Sequence, residues 1–243
     1  MNQCLVLILC KDRSKKIISL ENSISSNHTD FLTVCDSLTL NLDKKLLDAG
    51  FYNMTRSPYI KKPSAWDKAF YTISYNELYN KYNYFFFIED DVYSKNYETL
   101  ISFIMDAQSE FSVDFITKQI RPKSHHPQWK HWQEDYTNEF SNPSQSFNPL
   151  CRLSKRLIEK ILLYKEQHKF FNFHEILFAS LCLEYNLSYI NYIENNILNK
   201  YIGNFRYYPI MIESDINDIL IHHPVKDSKS DREKGVVSLD KRR

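Results

Sequence analysis

Glu89, Asp90 and Asp91 stand side by side immediately after Tyr84-Phe85-Phe86-Phe87-Ile88, the most hydrophobic strand-like run in the chain. Adjacent carboxylates repel and raise one another's pKa, so a cluster at the end of a core strand costs stability unless a cation neutralises it. A hard divalent ion with oxygen ligands is the simplest remedy. The same tripeptide also fits a solvated acidic turn that ends a strand and caps the helix after it. Far along the chain, Ile221-His222-His223-Pro224-Val225-Lys226 offers imidazole and ammonium groups. Imidazole is a borderline ligand that favours Mn²⁺-like ions over Ca²⁺. A surface His pair near a domain end is the competing reading.

Position gives the acids their weight. In an open α/β sheet, ligands bind beyond the carboxyl ends of the strands. Residues 4–10 form a continuous apolar run ending in Lys11-Asp12-Arg13, and Phe31-Leu32-Thr33-Val34-Cys35 is a second run ending at Asp36-Ser37. Both read as strands buried on two faces. Between them, Ile17, Ile18, Leu20 and Ile24 recur near a helical period. A helix is expected over 66–82 behind a Ser64 cap, with Trp66, Ala69, Phe70, Ile73 and Leu78 inward. Further helices are expected over 97–110, 154–167 and 174–185, with short strands at 113–117 and 187–190. This alternation predicts a mostly parallel sheet with helices on its faces. Residues 121–148 lack a sustained period and read as a long functional loop. One domain over 1–226 is expected, followed by a charged, apolar-poor tail over 227–243.

Composition sets outer limits. The chain has 243 residues, 43% hydrophobic and 15% aromatic, enough to bury one sizeable core. Lys+Arg 31 against Asp+Glu 30 leaves a net charge of +1, so no bulk field draws it to nucleic acid or an anionic bilayer. Three glycines argue against a glycine-rich phosphate loop. The five cysteines form no CxxC pair and read as reduced core thiols of a cytoplasmic protein. Residues 4–10 are too short and lack the basic flank for a signal peptide, and nothing approaches the roughly 20 apolar residues of a membrane span.

Phe85-Phe86-Phe87-Ile88-Glu89-Asp90-Asp91-Val92 resembles the strand that carries the DxD motif of GT-A glycosyltransferases, with Glu89 and Asp91 as its outer acids. The resemblance implies Asp91 as a ligand to Mn²⁺ or Mg²⁺, Asp90 at the donor site, and Glu89 at the metal or the donor ribose. Glu in place of the first Asp is a departure, and it leaves that contact open. The segment 221–226 is similar to the place where many such enzymes return a His to the same metal. This implies His223, directly before Pro224, as a further ligand, with Lys226 near the diphosphate. Ser64-Ala65-Trp66-Asp67-Lys68-Ala69 resembles the donor-side helix, whose start touches the nucleotide. Alternatively, Trp66 packs in the core while Asp67 and Lys68 face solvent. Arg13 and Asp36, just past the first two strands, complete the implied donor contacts.

On the acceptor side, Phe171-Asn172-Phe173-His174-Glu175-Ile176 resembles the acidic position under the acceptor, implying Glu175 as the base that takes its hydroxyl proton. Glu175 also fits a plain complement to the helix dipole. Pro149-Leu150-Cys151-Arg152-Leu153-Ser154 resembles a segment bordering the donor sugar, implying a sugar or phosphate contact for Arg152, while Ser154 suits an N-cap. His125, His126 and His131 lack an identifiable fourth ligand and fixed spacing, which argues against zinc. Trp129 and Trp132 suit stacking on a sugar, or a structural pair.

The resemblance spans roughly residues 4–226. It implies an α/β fold of GT-A type, with a Rossmann-like, mostly parallel central sheet flanked by helices in a single domain. It further implies transfer of a sugar from a nucleoside-diphosphate sugar to a glycan or other hydroxyl acceptor, with a divalent metal on the diphosphate. UDP is preferred only as the commonest donor base in such enzymes. Two rivals remain: a metal-dependent nucleotidyltransferase, and a non-catalytic carbohydrate- or partner-binding protein.

Overall fold

The computed structural model describes residues 4–27, 29–36, 40–55, 62–129, 131–132 and 138–226. The expected tail over 227–243 lies outside these residues, as do Ser37 and Lys130. The chain is α/β, with a central, mostly parallel sheet flanked by helices. Among the described residues that sheet has six strands in the order β2-β1-β3-β7-β4-β8. These are β1 (Cys4–Cys10), β2 (Asp30–Cys35), β3 (Tyr84–Glu89), β4 (Phe115–Thr117), β7 (Leu150–Ser154) and β8 (Tyr189–Asn191). β1 pairs in parallel with β2 and β3, and β4 with β8, whereas β7 runs antiparallel between β3 and β4.

All seven residues of β1 are buried, as a continuous apolar run requires when helices cover both faces of a sheet. Alternate residues divide between two cores. Leu5, Leu7, Leu9, Phe85 and Phe87 pack against α3 (Ala65–Tyr75), α5 (Lys155–His168) and α6 (His174–Glu184). Val6, Ile8, Phe86 and Ile88 pack against α1 (Lys15–Ser26) and α4 (Tyr97–Glu110). A further helix, α2 (Leu40–Asp48), follows β2, and α7 (Asn196–Asn199) follows β8.

Local chemistry sets the boundaries. Ser64 caps α3 in a reciprocal capping box with Asp67. That helix ends at Tyr75, short of the expected 82, because Glu77 takes a left-handed φ of 50° and starts a 3₁₀ turn. Ser154 caps α5 by accepting from the Leu157 amide. The sequence reading did not assign a strand to 150–154, yet these residues are β7, buried throughout in the middle of the sheet.

Beyond the sheet, residues 121–148 are not a structureless loop. β5 (Ile120–Pro122) pairs antiparallel with β6 (Ser144–Ser146). Near the end of the described chain, β9 (Ile202–Phe205) pairs with β11 (Ile221–His223), and β10 (Met211–Ile212) with β12 (Val225–Lys226). No helix among the described residues is long and apolar enough to cross a membrane.

Candidate active site

The C-terminal ends of β1, β2 and β3 lie side by side, with Leu9 opposite Glu89 and Cys10 opposite Cys35. Asp36 therefore emerges beside the acidic cluster, its amide donating to the Cys10 carbonyl at 2.9 Å. The last strands are laced onto the segment after β3. Tyr93 and His222 exchange two backbone hydrogen bonds, and the Val225 amide donates to the Asp91 carbonyl at 2.9 Å. This pairing carries His223 and Lys226 to the acids.

One carboxylate oxygen each from Glu89 and Asp91 and one ring nitrogen of His223 lie within 4.8 Å of one another. His223 Nε2 is 3.0 Å from Asp91 Oδ1 and 4.0 Å from Glu89 Oε2. Lys226 Nζ sits 3.0 Å from the other Asp91 oxygen. The ring is oriented from behind, since His223 Nδ1 lies 3.0 Å from the Arg206 carbonyl, which can only accept. With Nδ1 carrying that proton, a neutral His223 keeps an unprotonated Nε2 close to the two acids. Glu89 is fixed in the same manner by Trp66, whose indole N–H donates to Oε1 at 2.8 Å.

The electrostatics follow from the crowding of these buried charges. Burial, and then the neighbouring Asp91, push Glu89 up to about 7. Burial alone would raise Asp91 too, but His223 and Lys226 more than offset it and hold its carboxyl well below the usual carboxylate range. His223 is raised despite its burial because Asp91 and Glu89 favour the imidazolium. Without an ion, protons on these groups must balance the buried charge. Asp91 Oδ1 is buried and makes no hydrogen bond of ordinary geometry, although His223 Nε2 stands 3.0 Å away. A cation between Nε2 and the carboxylates would satisfy that oxygen and replace the His223 proton. The donor set of two carboxylates and one imidazole suits Mn²⁺-like or Mg²⁺-like ions.

Two cavities flank the centre. A cleft of about 190 Å³ is lined by Asp36, Trp66, Glu89, Asp90 and Asp91, together with the ends of β1 and α3. Asp36 Oδ1 is buried there with no hydrogen-bond partner among the described residues. Asp90 accepts from the Lys11 amide at 3.0 Å. A larger cavity of about 460 Å³ contains Glu175, Trp129 and Phe147. Phe147, on the wall of the larger cavity, packs against the His223 ring at 5.3 Å, so that cavity abuts the centre. Trp132 packs edge-on against Trp129 at 4.8 Å.

Four donor-side expectations are corrected. Arg152 cannot touch a donor, because it is a fully buried residue of β7. Its guanidinium donates to the Ala107 and Val113 carbonyls and lies over the Tyr84 ring at 4.1 Å. Asp67 is fully buried in the capping box and also accepts from the Met54 amide, which occupies both its oxygens. Lys68 is buried as well, ion-paired with Asp43 at 3.1 Å and donating to the Asp36 carbonyl, so it positions the end of β2. Arg13 is held on Glu21 of α1 and does not line the cleft. His222 has both ring nitrogens engaged, with Asp218 at 2.7 Å and the Asn204 amide at 3.1 Å, which leaves His223 as the ring facing the acids.

The sequence reading missed several residues. Lys118, Arg121 and Arg206 line the larger cavity, but no motif marks them. His174 stacks on Trp66 at a centroid distance of 4.4 Å, linking the start of α6 to Glu89 through the indole.

Fold and site thus define an α/β protein with a carboxylate–imidazole centre at the C-terminal edge of its sheet. No protein-family model matches the chain, and no curated protein matches it by sequence. Among solved structures, it is similar to a glycosyltransferase involved in glycosylation of the major capsid of PBCV-1. That likeness has 13% identity and a TM-score of 0.44, over 96% of this chain and 99% of that one. Mouse xyloside xylosyltransferase 1 matches at 7% identity and a TM-score of 0.40, over 92% and 97% of the two chains. A197 from STIV matches at 9% identity and a TM-score of 0.29, over 65% and 68%.

Proposed function

We propose that this protein is a GT-A glycosyltransferase that moves a sugar from a nucleoside-diphosphate donor, with UDP as the preferred base, to a glycan or other hydroxyl acceptor. The observation that carries the reading is the convergence of Glu89, Asp91 and His223, drawn from two distant parts of the chain, beside an acid-lined cleft and a larger cavity. These three residues would hold a divalent cation, Mn²⁺ or Mg²⁺. Bound there, it would neutralise the negative charge of the departing nucleoside diphosphate.

The chain's own groups take the remaining roles. The 190 Å³ cleft receives the nucleoside, where the unpartnered Asp36 oxygen is an acceptor for a ribose hydroxyl or a base N–H. Lys226, already paired with Asp91, places a positive charge beside the phosphates. Trp66 holds Glu89 in one rotamer, so its second oxygen stays turned toward His223. Glu175, in the first turn of α6 and on the wall of the larger cavity, is the group to take the acceptor proton.

Thermal unfolding with and without UDP, GDP and MnCl₂, on wild type and Asp91→Ala, tests the reading. Stabilisation by a nucleotide only with Mn²⁺, lost in Asp91→Ala, is the expected result and identifies the base. No shift with any combination would sink it.

A further inference from the structure

The larger cavity carries a charge pattern that the metal centre does not use. Lys118 follows β4, Arg121 lies in β5 and Arg206 follows β9, and all three line the same space. Glu175 is the only acid among the described lining residues, and it is buried. Arg121 and Arg206 are exposed, and no ion pair joins either to an acid among the described residues. Lys118 is pinned by a hydrogen bond to the Phe205 carbonyl and by the Phe147 ring, 5.3 Å from its ammonium. Burial, and then the nearby charge of Arg121, lower its pKa. Like charges gathered on the wall of one partly enclosed space favour an anion between them.

The cavity also has ring-sized apolar walls in Trp129, Phe147 and Tyr207. At about 460 Å³ it falls within the usual range for small-ligand sites, roughly 300–1,000 Å³. Its link to the reacting centre is direct. The Arg206 amide donates to the His223 carbonyl at 3.0 Å while the Arg206 carbonyl holds His223 Nδ1. The donor cleft, by contrast, is lined by four acids, Asp36, Glu89, Asp90 and Asp91.

We propose that the acceptor is an acidic sugar, seated with its ring against Trp129, Phe147 and Tyr207 and its carboxylate or phosphate on Lys118, Arg121 and Arg206. This inference rests on the transferase reading of the neighbouring centre, but binding tests it separately. Calorimetric titration of metal-free, nucleotide-free protein with methyl β-D-glucuronide, D-glucose 6-phosphate and methyl β-D-glucoside compares the two anions with a neutral sugar. At least one acidic sugar is expected to bind about tenfold more tightly than the glucoside, with the preference weakening as salt rises. A lead for the glucuronide assigns a carboxylate ligand, and a lead for the phosphate assigns a phosphorylated one. The Lys118→Gln/Arg206→Gln double variant, and separately the exposed Arg121→Gln, are expected to reduce the preference severalfold while keeping the wild-type melting temperature.

Equal binding of all three sugars, no binding of either acidic sugar, or a preference that survives in both variants would overturn the proposal. So would a loss of UDP binding with Mn²⁺ in the variants when no sugar is present, because the cations would then serve the donor phosphates. A retained acidic preference without any nucleotide-dependent stabilisation would sink the transferase reading alone.

Discussion

Replacing Arg152 with Ala separates a structural role from a donor contact. Arg152 stands on β7 opposite Phe86 of β3, on the face covered by α4. Helix α4 ends at Glu110, so the Ala107 carbonyl belongs to the last turn, whose carbonyls lack partners within the helix. Arg152 supplies that partner and places a positive charge at the negative end of the helix dipole. A second bond reaches the Val113 carbonyl at 2.9 Å, and the guanidinium covers Tyr84. Burial lowers its pKa to about 10, which leaves it charged at neutral pH.

Truncation strands the buried Ala107 carbonyl and the part-buried Val113 carbonyl, at about 1–3 kcal/mol each, and removes a desolvated cation–π contact worth about 2 kcal/mol. Relief of the guanidinium's own desolvation offsets part of this. A net loss of about 3–5 kcal/mol is expected. For a chain of this size that lowers the melting temperature by roughly 6–20 °C. Differential scanning calorimetry measures the shift, and titration with UDP and Mn²⁺ below the variant's transition measures nucleotide affinity. The expected pair of results is a large fall in melting temperature with affinity within about twofold of wild type. An unchanged melting temperature with lost nucleotide affinity would refute the buried placement and restore Arg152 to the donor site.

Saturating Mn²⁺ at about 100 times its dissociation constant should stabilise the wild type by about 2.7 kcal/mol, or roughly 5–11 °C, and EDTA should reverse the gain. Trp66→Phe keeps a ring against Phe87 and His174 but removes the donor to Glu89; metal affinity measured by calorimetry should fall about 10–100-fold. Gly203→Ala would put a Cβ 2.5 Å from the His222 ring; a displaced His222 should cost about 1–3 kcal/mol in urea titrations, with weaker metal binding through the adjoining His223. Asp67, pushed up by burial from 3.8 to about 6, binds its proton more tightly folded than unfolded. Its contribution is fully present below pH ~4 and is lost as the pH rises through about 6, a loss of roughly 3 kcal/mol. The stability difference between wild type and Asp67→Asn should shrink by that amount between pH 4 and pH 7.

The strand-helix alternation was legible from local pattern alone. Val6 and Phe87 are apolar in runs without polar interruption, and such runs fit only strands covered on both faces, which makes the sheet mostly parallel. Ser64 and Ser154 announced helix starts because an N-cap is satisfied within three residues of itself. The acids after Ile88 stood out as a candidate site because adjacent like charges are anomalous at the end of a core strand.

What local pattern could not weigh was sheet order. A short segment such as Leu150–Ser154 carries the same composition whether it borders a cleft or fills the middle of a sheet. Its antiparallel insertion between β3 and β4 alone buried Arg152 and turned a candidate phosphate contact into a helix cap. Asp67 and Lys68 likewise depended on which residues α3 faced. Lys226 reached Asp91 across 135 positions of sequence, and His223 came with it, only through backbone pairing of the last strands with the segment after β3. Lys118, Arg121 and Arg206 share no motif, and the folded chain makes them one charged wall because the β4–β5 segment and the residues after β9 meet at one cavity. Sequence determined which residues had chemistry to offer, since that is a property of single side chains and their near neighbours. The tertiary structure decided which of them share a site, because burial and long-range proximity belong to the packed chain.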